Sequence, residues 1–152
     1  MNRNLRFLLI GLLVAYTGLL LLGTLFPFGF RLDARTVSYF PSPEWIPFTF
    51  HDPRCPWTGF IRDKLFNIVM FLPFGVLLGM IIQSGAKSER TLLKTAVLAA
   101  FFSLLIETLQ YFLPERHPAA SDLLMNTIGA FLGAWLMTRG LAVLPLTLSR
   151  SS

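Results

Sequence analysis

The chain of 152 residues is 54% hydrophobic and only 14% charged, where about 25% charge is typical of soluble domains. Its 13 Lys/Arg and 8 Asp/Glu residues are too few to solvate a globular surface, and its hydrophobicity excludes intrinsic disorder. The composition is that of a small integral membrane protein.

The first element is read from Phe7 to Phe30, 24 consecutive residues without a charge. A hydrocarbon core of about 30 Å needs about 20 apolar helical residues, so this run predicts a transmembrane helix over about residues 7–28. Arg3 and Arg6 resemble the basic region of a signal peptide. The apolar run is longer than the roughly 7–15 residues of such a leader, and it ends in Phe26-Pro27-Phe28-Gly29-Phe30. A retained span is expected.

An outer loop follows over about residues 30–62. It is crowded with Pro41, Pro43, Trp45, Pro47, Phe48, Phe50, Pro53, Pro56 and Trp57. Such a segment suits the headgroup surface or a cover over the bundle, with a lid over a site as the sharper alternative. Cys55 has no second cysteine to pair with. His51 and His117 are too isolated to argue for zinc.

Leu65 to Ala86 is a charge-free run of 22 residues and predicts the second span, about residues 64–84. Pro73 removes a hydrogen bond there and is expected to kink it. The third and fourth runs, Thr95–Ile106 and Leu123–Thr138, have only 12 and 16 residues. They reach spanning length as about residues 92–113 and 122–141, which puts Glu107 at membrane depth and Asp122 at its edge. Lys94 and Arg139 sit where they can snorkel to the headgroups. A re-entrant pair of short helices is the alternative. The whole chain, residues 1–152, then reads as one all-α membrane domain: a four-transmembrane-helix bundle with an aromatic, Pro-rich extracytoplasmic loop between helices 1 and 2. The short basic loop around Lys87 and Arg90 and the basic N-terminus favour cytoplasmic termini.

The polar residues gather at one end of this bundle. Asp63 and Asn67 open the second helix four residues apart, on one face. Glu107 and Gln110 close the third, Arg116 and His117 lie in the connection, and Asp122 and Asn126 open the fourth. Each has a structural alternative: the aspartates as N-caps, the asparagines as interhelical glue. Glu107 is harder to explain away. A carboxyl inside a span costs roughly 2.5–3.5 kcal/mol on insertion scales, and Arg116 is its expected partner, directly or through a bound phosphate. Asp63-x-x-x-Asn67 and Asp122-x-x-x-Asn126 also echo one another, which hints at a duplicated hairpin with parallel repeats. Gly75/Gly79 and Gly129/Gly133 form two G-x-x-x-G motifs suited to close helix packing.

The order D-x3-N (Asp63, Asn67), F-x-P-x-G (Phe71, Pro73, Gly75), E-x2-Q (Glu107, Gln110), Arg116 and D-x3-N-x2-G (Asp122, Asn126, Gly129) resembles the VanZ-like family of small bacterial membrane proteins. The likeness covers about residues 60–136; the long aromatic loop falls outside it. It implies the bundle, the motif set and a link to resistance against teicoplanin, a lipid-tailed glycopeptide. It implies no reaction.

Three functions stay open. In the first, an outer-leaflet polar cavity binds a lipid-linked headgroup or a lipid-tailed glycopeptide through Asp63, Asn67, Glu107, Gln110, Arg116, Asp122 and Asn126. In the second, Glu107 with Asp63 or Asp122 acts as general acid and base on a lipid phosphate or glycolipid. In the third, the protein is a structural partner of cell-envelope enzymes. Expected partners are membrane lipids or lipid-linked cell-wall intermediates in the bacterial cytoplasmic membrane, with oligomerisation left open. Nucleic acid is not expected, because the basic residues are scattered at span ends. No metal and no cofactor is expected: there is no Gly-rich phosphate loop, HExxH or CxxC, and an oxygen-ligand site of Asp63, Glu107 and Asp122 is the weaker alternative.

Overall fold

A computed structural model describes residues 3–31, 57–83, 88–114, 116 and 119–148. Among them the chain forms four helices and no strand: α1 (Arg3–Leu25), α2 (Trp57–Ile82), α3 (Ser88–Gln110) and α4 (Ala120–Leu148). Three are long and apolar enough to cross a membrane: Arg3–Leu25, Ile61–Ile82 and Ser88–Gln110. Their outward faces are apolar, with Phe101 72% exposed and both Phe7 and Val14 66% exposed. Water would penalise such a surface, whereas lipid tails do not. α4 does not meet the same length-and-hydropathy criterion among the described residues.

At the polar end the helix bounds differ from the expected spans. α2 starts at Trp57, within the segment read as outer loop. α3 stops at Gln110, three residues before the expected limit, and the chain continues through tight turns (Leu113 N–H to the Gln110 carbonyl, 2.9 Å) that lead into Pro114. The rest of the aromatic loop, with His51 and Cys55, lies outside the described residues, as does His117.

α2 and α4 share the largest interface, and glycine creates it. A Cβ on Gly75 would lie 2.0 Å from the Ala130 carbonyl oxygen, one on Gly129 2.3 Å from that of Ile68, and one on Gly133 2.1 Å from that of Leu72. Only residues lacking Cβ permit this approach, in which packing and weak Cα–H···O contacts replace the hydrophobic effect. The partners advance together along both helices, so α2 and α4 run parallel. Both G-x-x-x-G motifs are thus used in one seam.

α3 packs a stripe of buried residues at every fourth position, Thr91, Thr95, Ala99, Ser103 and Glu107. α1 touches α2 and α3 and, among the described residues, does not reach α4. The core is Leu20, Phe71, Phe74, Ala99, Ile106 and Ala130. Phe74 stacks on Phe102 at 5.2 Å, and Phe71 tilts against both rings. α2 is continuous through Pro73. The Tyr16 hydroxyl donates to the Met70 carbonyl at 2.8 Å, next to the Val69 carbonyl that Pro73 leaves without its helical donor. Hydroxyls of Thr17, Thr108 and Thr127 donate to carbonyls one turn back, which satisfies them within their own helices.

Candidate functional site

α1 and α3 finish, and α2 and α4 begin, at the same end of the bundle. The end of α1 fixes this geometry. Pro27 has no N–H for the Gly23 carbonyl, and the Phe28 N–H turns to Leu25 at 2.8 Å, so the last carbonyls of α1 lack intrahelical donors. Gln110 Nε2 donates to the Thr24 carbonyl at 3.0 Å. Arg116 Nη2 donates to the Gly23 and Phe26 carbonyls, each at 3.3 Å. Two of the expected ligand-binding residues thus close the carbonyl end of α1.

Glu107 is buried, only 2% exposed, although its side chain is ionisable. Its Oε2 accepts the Ala119 N–H at 2.9 Å, at the start of α4. Arg116, its expected partner, is engaged with α1 instead. The charged groups whose fields reach Glu107 are Asp122 and Lys64. Lys64 Nζ donates to Asp122 Oδ1 in an ion pair joining α2 to α4, with side chains 15% and 26% exposed.

Asn126 lies one turn deeper. Its Nδ2 donates to Ser103 Oγ at 2.9 Å, while its buried Oδ1 has no hydrogen-bond donor among the described residues. An unpaired buried acceptor costs about 1–3 kcal/mol. Glu107, Ser103, Asn126, Asp122 and Lys64 therefore form one cluster across α2, α3 and α4.

The echo between α2 and α4 is sequential rather than functional. Asp122 turns into the cluster, whereas Asp63 is 66% exposed at the side chain and pairs at the surface with Arg62 at 3.6 Å. Asn67 is half-buried, and its side chain makes no hydrogen bond among the described residues. The structure thus unites Glu107, Asp122 and Asn126, seats Gln110 and Arg116 on the rim, and leaves Asp63 outside. Sequence reading had assigned Lys64 to a span end and had not given Ser103 a role. The small or hydroxyl residues recurring every fourth position before Glu107 were the available signal for Ser103; no spacing on α2 singles out Lys64. No group of three or more His, Cys, Asp or Glu side chains is arranged to hold a metal ion among the described residues.

A multi-helix membrane protein with a polar cluster inside one end is the class these features define. The VanZ/LLP1 family pattern matches residues 13–143, and the chain belongs to that family. It is similar to Protein VanZ of Enterococcus faecium, with 30% identity over 76 residues, which is 50% of this chain and 44% of that protein. The matched region thus spans less than half the length of this relative. No solved structure matches the chain.

Proposed function

We propose that the protein is a four-span protein of the bacterial cytoplasmic membrane, with cytoplasmic termini, that binds an amphiphile headgroup at the polar end of its bundle. The headgroup belongs to a lipid-linked cell-envelope intermediate or a lipid-tailed glycopeptide, and binding underlies a contribution to glycopeptide resistance. The observation that carries this reading is the buried Oδ1 of Asn126, without a donor among the described residues, beside Glu107 and the Lys64–Asp122 pair. It supplies a fixed acceptor for an amide or hydroxyl donor from outside the protein. Binding is favoured over general acid–base work because both carboxylates already have partners: a main-chain N–H for Glu107 and an ammonium for Asp122.

Expression in a glycopeptide-susceptible bacterium tests the function. The chain is expected to raise tolerance to teicoplanin more than to a glycopeptide without a lipid tail. Asn126→Ala and Glu107→Gln, at equal membrane abundance, are expected to remove the gain. Equal tolerance with and without the chain refutes the reading. Reporter fusions after Gly85 and Pro118 test the topology: the first should report cytoplasm and the second the outside.

A further inference from the structure

A small cavity of about 140 Å³ opens at the polar end, where α1 and α3 leave the bundle, and is lined by Pro27, Gly29, Arg31, Leu113, Pro114 and Arg116. Arg31 and Arg116 thus border one space, and its other described lining residues are Pro27, Gly29, Leu113 and Pro114. Arg116 uses a single nitrogen, Nη2, on two carbonyls at 3.3 Å, which are long, weak bonds. Its Nε and Nη1, and the whole side chain of Arg31, make no hydrogen bond or ion pair among the described residues. Arg31 is nevertheless held in place, because its backbone N–H donates to the Phe112 carbonyl at 2.9 Å. Phe28 supports this bend with φ of 62°, a conformation uncommon for a bulky residue and kept only where surroundings enforce it.

We propose that Arg31 and Arg116 form a binding site for the phosphate group of a membrane lipid, with Pro27, Leu113 and Pro114 against the first methylenes of its tail. The guanidinium fork matches phosphate oxygens in pairs. Drug-sized ligands need pockets of roughly 300–1,000 Å³, so this volume takes one headgroup fragment and not a whole antibiotic. The site lies at the ends of α1 and α3, the depth at which lipid phosphates lie against spanning helices. The α3–α4 connection joins it to the inner cluster, since Arg116 is three residues from the Ala119 amide bound by Glu107. The inference deepens the reading above, supplying the anionic part of the same ligand, and rests on it for the direction of the tail.

The test uses the full chain in a phosphate-free detergent, with phosphatidic acid, inorganic phosphate and phosphatidylcholine as separate probes. Binding is read by native mass spectrometry and by thermal shift. Phosphatidic acid is expected to bind the wild type, with Arg31→Gln weakening it about tenfold or more. Arg116→Lys, which keeps charge but loses the fork, is expected to fall between wild type and Arg116→Gln. Arg31→Gln removes no hydrogen bond within the described fold, so its effect is separable from misfolding, and Arg139→Gln serves as a distant charge control. Equal affinity for inorganic phosphate overturns the lipid source. Unchanged phosphatidic acid binding in Arg31→Gln overturns the site. Loss of teicoplanin tolerance in Asn126→Ala alongside unchanged tolerance in both arginine variants overturns this site and leaves the functional reading standing.

Discussion

Substitution of Gly133 by alanine probes the contact on which the bundle depends. The added Cβ would lie 2.1 Å from the Leu72 carbonyl oxygen and 3.0 Å from the Val76 nitrogen, on the hydrogen bond between two turns of α2. These are backbone atoms, so no rotamer can relieve the clash. Ordinary contact begins near 3.4 Å, and α4 must therefore retreat by more than 1 Å, carrying Asp122 and Asn126 away from Lys64 and Ser103. Overpacking of this kind costs about 1–3 kcal/mol. Alanine returns at most about 1 kcal/mol through its better helix propensity, which leaves a net loss of up to about 3 kcal/mol. Gly11→Ala is the matched control, because nothing lies within 4 Å of that position, and it should be neutral or slightly stabilising. Denaturation by SDS in mixed micelles, followed by far-ultraviolet circular dichroism, measures both. Equal stability of the two variants would refute the claim that close approach of α2 and α4 holds the fold.

Other substitutions test the polar end. Lys64→Met leaves Asp122 without its counter-charge and should cost about 1–3 kcal/mol, below the roughly 3–5 kcal/mol of a fully buried pair because both groups keep some exposure; adding Asp122→Leu should restore most of it in the same micelle titration. Ser103→Ala orphans the Asn126 amide and should cost about 0.6 kcal/mol, with roughly 2 as the ceiling for such interhelical bonds. Gln110→Ala frees the Thr24 carbonyl and should speed amide exchange over the last turn of α1 while leaving the α2–α4 seam unchanged, as read by hydrogen–deuterium exchange.

The legible parts of the fold are those set by local composition. Charge-free runs located α1 and α2, and the two G-x-x-x-G motifs named the residues of the seam. Glu107 and Asp122 stood out because a carboxyl in an apolar run needs a reason. What the sequence hid depends on rotation and on distant partners. Spacing alone placed Asp63 and Asp122 alike, yet packing turns one into the cluster and the other to the surface. Lys64 stands in the sequence as one of the basic residues at the span ends, and only the proximity of α4 makes it the counter-ion. Arg116 was expected at Glu107. Its actual place follows from an amide that Pro27 lacks, 89 positions earlier along the chain, and no window on the sequence joins those two facts.

The fasteners between helices are unevenly distributed. The Lys64–Asp122 pair, the Asn126–Ser103 and Ala119–Glu107 bonds, and the two donors that close α1 all sit toward one rim. Apart from the Tyr16–Met70 bond at mid-bundle, the molecule is built like a clothes-peg, with directional bonds fixing the register at the rim and close packing providing the spring. A ligand entering at the polar rim pushes against the stiffest part of the molecule, so recognition there demands a shape that already fits.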